Sequence, residues 1–180
     1  MPSIGGPGDL DMDLEIRTAR PPDRDSILGV VQAAFSNGDG DGREELDIVE
    51  AVSKLGAVAR GLELVATVDR VVIGYVLGSW GALGRRPVVG VAPLAVMPHF
   101  QGLGVGSALM LELIDRADAS GLDMVLVLGD PAYYERFGFE PAGPMGVHPL
   151  SGAESRYFQM RRLSAYTDDL RGSFAYSWET

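Results

Sequence analysis

The sequence predicts one α/β (α+β) domain, with a mixed central sheet of about six or seven strands flanked by helices. Three observations predict it. The chain has 180 residues, 46% of them hydrophobic and 22% charged, which suits one packed core. Apolar segments alternate between a period of 2 and a helical period, in the order β-α-α-β-β-β-α-β-α-β. No internal repeat and no linker divides the chain.

Residues 1–13, MPSIGGPGDLDMD, read as a flexible lead-in, and residues 14–163 as the domain. Residues 15–18 alternate and form a first strand. Pro21, Pro22 and Asp23 follow, with Asp23 placed as an N-cap. Ile27, Val30, Val31 and Ala34 carry helical spacing to Phe35. Residues 36–42, SNGDGDG, are a loop that lacks the glutamate a calcium loop requires. Leu46, Val49, Val52 and Leu55 predict a second helix over residues 43–59. Residues 63–68 and 71–79 pair as a hairpin around Asp69 and Arg70. Residues 81–87 read as a break, and residues 88–96 as another apolar strand. A glycine-rich loop, 101–106, opens a helix that runs to Ser120, with Gly121 as its stop. Residues 124–128 form a fully apolar strand of the buried kind. Asp130 and Pro131 open a short helix that ends at Gly138. Residues 139–149 are loop, and residues 157–163 the last strand of the core. Phe174, Tyr176 and Trp178 alternate in the tail, 164–180, where an extra edge strand is open.

Composition excludes several chemistries. There is no cysteine, so disulfides, thiolate-ligated metals and a cysteine acyl-enzyme are out. His99 and His148 are the only histidines, too few for a His-rich metal site. The formal net charge of -10 argues against nucleic acid and favours a cationic partner. No apolar run approaches the roughly 18 residues of a membrane span, and the N-terminus lacks the pattern of a secretory signal. A cytoplasmic protein is expected.

The segment LAVMPHFQGLGVGSALM, from Leu94 to Met110, carries the strongest signal. A buried strand ends at Val96, Pro98 turns the chain, and Gln101, Gly102, Leu103, Gly104, Val105 and Gly106 run into a helix at Ser107. Glycines let backbone approach a ligand. The first amides of a helix lack internal acceptors and face the positive end of its dipole. Such a turn binds phosphate or pyrophosphate through backbone. It is not a Walker loop, because Ser107 and Ala108 follow where Lys and Ser or Thr are needed. The dinucleotide fingerprint fails as well, its third glycine position falling on Ser107.

The remaining pattern, Q-x-x-G-x-G after Val96-Met97-Pro98, resembles the cofactor loop of the GNAT superfamily of acyl-CoA N-acyltransferases. A second block, DPAYYERFGF at residues 130–139, is similar to a later motif of that superfamily, with Tyr134 four residues before Gly138 and Phe139. The stretch LGDPAYYERFGFEPA looks like the YhbS-like branch. The resemblance covers roughly residues 14–163. It implies direct transfer of an acetyl group from acetyl-CoA to an amine through a tetrahedral intermediate, with no covalent enzyme intermediate. It also implies that strands 88–96 and 124–128 splay, with the pantetheine arm against the backbone of Leu94, Ala95 and Val96. An amide near Leu94 or Ala95 would polarise the thioester carbonyl. Gln101 to Ser107 would hold the pyrophosphate, Tyr133 and Phe137 would flank the cofactor, and Tyr134 would protonate the leaving thiolate.

Both cofactor strands lack a carboxylate, so the general base is open among Glu63, His99 and water. Phe35, the loop with Asp39 and Asp41, Trp80 and the tail aromatics are expected around the acceptor. The acceptor is a small amine, favoured as cationic, or a peptide amine. The tail either covers the pocket or pairs with a second subunit to make a homodimer. The competing reading is a non-catalytic acyl-CoA sensor of the same fold.

Overall fold

The computed structural model describes residues 12–36, 38, 40–153 and 155–179. Most of the expected lead-in over residues 1–13, and Asp39, lie outside the described residues. The strands are β1 (Leu14–Thr18), β2 (Val58–Val68), β3 (Val71–Leu83), β4 (Arg86–Val96), β5 (Met124–Leu128), β6 (Glu140–Pro141), β7 (Val147–Pro149), β8 (Phe158–Arg162) and β9 (Gly172–Tyr176). The helices are α1 (Arg24–Phe35), α2 (Arg43–Lys54), α3 (Val105–Ala119) and α4 (Pro131–Tyr134). The main sheet path runs β1-β2-β3-β4-β5-β8-β6. All of its neighbours are antiparallel except β4 and β5.

The helices divide between the two faces. Leu109, Leu113 and Ala117 of α3 pack with Val76, Val89 and Val91 on one face. Val31 and Val49 of α1 and α2 pack with Tyr75, Leu77 and Ala95 on the other. Alternation along the strands assigns those faces. On β4 the alternation changes phase: Val89 and Val91 turn toward α3, and so do Leu94 and Val96. A bulge between the Val91–Gly78 and Leu94–Val76 pairs supplies the extra residue, at Ala92 and Pro93.

Several boundaries differ from the sequence reading. The second helix stops at Lys54 rather than at residue 59, because Gly56 takes a left-handed φ of 62° and the chain enters β2 at Val58. The 81–87 segment is strand, turn and strand rather than a break. Gly81 lies within β3, where a Cβ would sit 2.6 Å from the Ala175 carbonyl and from the Phe174 ring. This glycine answers a close approach, not a turn. Asp69 and Arg70, both at positive φ, make the two-residue hairpin turn. The 139–149 loop contains β6 and β7. In the tail, β9 pairs antiparallel with β3 and parallel with β7, within one chain.

Candidate active site

Strands β4 and β5 share three parallel pairs, Val89–Val125, Gly90–Leu126 and Val91–Val127. Beyond the bulge, residues 92–96 continue along β3 while β5 ends at Leu128. The two strands therefore fork after Val91. Met97 N–H donates to Ile73 O at 2.8 Å. Hydrogen-bonding direction alternates along an antiparallel ladder, so Ala95 turns its backbone groups to β3. Leu94 and Val96 turn theirs into the fork. Of the strand residues expected against the cofactor, Ala95 has its side chain in the α1–α2 core and its polar groups in the sheet.

The loop from β4 to α3 closes one end of the fork. Gln101 Nε2 donates to Val96 O at 2.9 Å, so its side chain ties the loop to the strand end. Gly102 and Gly104 have φ values of 74° and 87°, and a Cβ on either would meet nothing within 4 Å. Their requirement is conformational. The first intrahelical bond is Ala108 N–H to Gly104 O at 3.0 Å. The amides of Val105, Gly106 and Ser107 thus precede the helical ladder and point out of the helix end. Leu103 is partly buried, and the Val105 side chain lies in the core.

Gly106 links the two sequence blocks. A Cβ there would lie 2.7 Å from the Tyr133 hydroxyl and 3.7 Å from Val96 Cγ2. Tyr133, whose phenol also hydrogen-bonds Ser107, thus abuts the first turn of α3. Burial raises its pKa, partly opposed by Arg136, whose guanidinium stacks 4.7 Å from the ring centroid.

Helix α4 sets both tyrosines. Asp130 Oδ1 accepts Ala132 N–H at 2.9 Å, Pro131 begins the turn, and Gly138 ends it at φ 80°. Tyr133 and Tyr134 meet edge to face with centroids 5.0 Å apart. Phe137 lies buried beneath, 5.4 Å from the Tyr133 ring, and Phe139 braces Tyr134 at 5.6 Å. Tyr134 also covers Gly129, where a Cβ would come within 2.5 Å of its ring. Burial pushes the Tyr134 phenol up to about 12, with Tyr133 adding to the shift. It stays protonated throughout the neutral range.

A cleft of about 570 Å³ opens at the fork. Pro93, Leu94, Tyr133 and Tyr134 line one side, and Phe35 and Ile48 the other. Tyr176, Trp178 and Glu179 of the tail also line it. Glu44, Glu45 and Asp130 complete four acidic lining residues, and among the described residues no lysine or arginine lines it.

The expected bases lie elsewhere. Glu63 Oε1 accepts the buried Tyr75 hydroxyl at 2.8 Å and borders a separate depression with Arg20 and Arg24. His99 is exposed in the turn Pro98–Phe100, outside the cleft lining. Trp80 packs against the α3-side core, away from the cleft. Asp41 accepts Arg43 N–H at 3.1 Å on the surface. Of the carboxylates that do line the cleft, the sequence reading named only Asp130, as the start of the short helix; Glu44, Glu45 and Glu179 belong to no motif.

Residues 26–139 match the acetyltransferase (GNAT) family. The chain is 34% identical over 152 residues to the uncharacterized N-acetyltransferase YhbS of Escherichia coli, covering 83% of this chain and 87% of that protein. It is 31% identical over 137 residues to the uncharacterized N-acetyltransferase YjhQ of the same organism, covering 72% and 76%. The crystal structure of YhbS from Escherichia coli in complex with CoA superposes with a TM-score of 0.81 at 32% identity, covering 93% of this chain and 92% of that one. A GNAT family acetyltransferase from Brucella melitensis in complex with acetyl-CoA gives 0.76 at 29% identity, over 92% and 96%.

Proposed function

The chain belongs to the GNAT acetyltransferase family, and on that premise we propose that it moves an acetyl group from acetyl-CoA directly to a primary amine. The observation that carries the reading is Tyr134, a protonated phenol at the fork of β4 and β5, beside the acidic cleft. The residues fit an acyl-CoA. The unbonded amides of Val105, Gly106 and Ser107 suit a pyrophosphate, and the open edge of β4 at Leu94 and the Val96 N–H suits an amide-bearing arm. Acetyl-CoA supplies an activated acyl carbon and a thiolate leaving group. The proposal also locates the protein in the cytoplasm, where that donor is available.

Each residue then has a task. The Leu94 N–H, directed into the fork, polarises the thioester carbonyl. Gln101 holds the loop through Val96 O, and its backbone neighbours from Gly102 to Ser107 carry the phosphates. Tyr133 walls the fork at Gly106, and Phe137 sets the Tyr133 ring from below. Tyr134 gives its proton to the departing sulfur; a thiol of ordinary pKa near about 8.5 accepts it only as the bond breaks. Glu44, Glu45 and Glu179 attract a cationic amine, and any of them, or water, takes its proton.

A thiol-release assay with acetyl-CoA tests this across 1,5-diaminopentane, spermidine, benzylamine and a lysine-containing peptide. Release that depends on the amine, strongest for the small cationic members, is the expected result. CoA binding with no release over that panel would favour the sensor reading.

A further inference from the structure

Tyr176 is the one hydroxyl of the C-terminal strand that reaches the fork. Strand β9 is held on both edges, by β3 and by β7, so its side chains project from a fixed platform. The Tyr176 ring lies across β4 at Gly90, where a Cβ would fall 2.3 Å from Tyr176 Cε1. Trp178 stacks on the ring with centroids 4.2 Å apart, and Phe174 meets its edge at 4.9 Å. Glu179 Oε2 accepts the Tyr176 N–H at 2.7 Å, which closes the turn after the strand. The ring is therefore clamped by strand, stack and turn.

Its hydroxyl donates to Val91 O over 3.4 Å. Val91 is the last β4 residue paired with β5, so this oxygen stands at the apex of the fork, and Tyr176 borders the same cleft as Tyr134. A phenol has one proton and two lone pairs. With the proton aimed at the Val91 carbonyl, the Tyr176 lone pairs are left for a partner that enters the cleft this residue lines. Tyr134 is its opposite, because its hydroxyl meets no acceptor among the described residues, which leaves its proton for a ligand. Burial keeps Tyr176 a neutral phenol, and Glu179 and Tyr134 reinforce this.

We infer that Tyr176 is a further catalytic residue, whose phenolic oxygen accepts an N–H of the acceptor amine and so turns the nitrogen lone pair toward the thioester carbon. Two tyrosines then divide the polar work at the fork. Tyr134 donates to the leaving sulfur and Tyr176 receives from the incoming nitrogen. No bond to Tyr176 forms or breaks; it orients the nucleophile.

This inference rests on the acetyl-transfer reading, and the test separates the two. Tyr176→Phe keeps the ring over Gly90 and both aromatic contacts but removes the hydroxyl, and so both its lone pairs and its long bond to Val91 O. Thiol release is followed with the best amine of the four-member panel, alongside the KM for acetyl-CoA and the melting temperature. Loss of one neutral hydrogen bond predicts kcat/KM for the amine lower by about tenfold. KM for acetyl-CoA and the melting temperature should be unchanged. Unchanged amine kinetics overturn the inference. So does a parallel loss in melting temperature and acetyl-CoA KM, because the hydroxyl would then act only by pinning β4. Wild-type silence with all four amines would instead remove the underlying reading, and this one with it.

Discussion

Replacing Gly106 by alanine separates a ligand cradle from a plain helix turn. The methyl would arrive 2.7 Å from the Tyr133 hydroxyl and beside Val96 and Leu94, at the mouth of the fork. Alanine in place of glycine in a helix gains up to about 1 kcal/mol, and pushing Tyr133 off its rotamer costs about 0.5–1.5 kcal/mol. The two nearly cancel, so stability should change by less than about 1 kcal/mol. Ligand binding has no such offset, because the methyl narrows the opening between α3 and α4 while the freed amides keep their direction. A tenfold weaker CoA, about 1.4 kcal/mol, is the expected minimum. Gly104→Ala is the contrasting case. Its methyl would touch nothing, but alanine at φ 87° costs about 1–2 kcal/mol, so stability should fall. Urea unfolding and calorimetric titration with CoA measure both quantities. CoA binding to Gly106→Ala with wild-type affinity would refute the reasoning.

Two further substitutions test the frame around the site. Gly90→Ala drives a methyl into the Tyr176 ring and should destabilise by about 1–3 kcal/mol through overpacking, read by urea unfolding; a neutral result would mean that β9 does not sit on β4. Asp23 accepts two hydrogen bonds from Arg17, at 2.7 and 2.8 Å, and one from Arg20 N–H, and the Arg17 contact chiefly holds its carboxyl down at about 2. A depressed carboxylate stabilises above its unfolded value and loses that contribution as pH falls through the folded one. Asp23→Asn should therefore cost about 1–2 kcal/mol at pH 7, with the difference from wild type closing as pH drops from about 4 toward 2. Unfolding curves across that range check the sign.

The turns around the fork were legible in the sequence, as were Phe35 and the tail aromatics of the cleft, but the cleft's glutamates were not. Gly102, Gly104, Pro98 and Gly138 each impose a backbone state that few residues share, so their spacing carries geometry. Tyr134 could be placed because Asp130, Pro131 and Gly138 bracket one short helix. The glutamates of the cleft have no such local code. Glu45 follows Phe35 on the next helix, whereas Trp178 and Glu179 come from the far end of the chain, and the pairing of β9 with β3 and β7 brings them to the cleft. Helical spacing over residues 43–59 misled for a related reason: the apolar rhythm of α2 runs smoothly into β2, and only the left-handed turn at Gly56 separates them. Gly81 misled because a glycine that admits a packed ring looks, in sequence, like one that makes a turn. Glu63 and His99 were chosen by nearness in sequence order. The topology sends Glu63 to Tyr75 and leaves His99 exposed.

The most direct test of the central claim is the turnover of Tyr134→Phe. Phenylalanine preserves the cover over Gly129 and the edge contacts with Tyr133 and Phe139. It removes only the hydroxyl, and with it the proton. Steady-state thiol release with acetyl-CoA and the preferred amine should fall by about 10²-fold or more in kcat, with CoA affinity unchanged. Turnover at the wild-type rate would contradict the assignment of Tyr134 as the acid, and with it the account of how this cleft transfers an acetyl group.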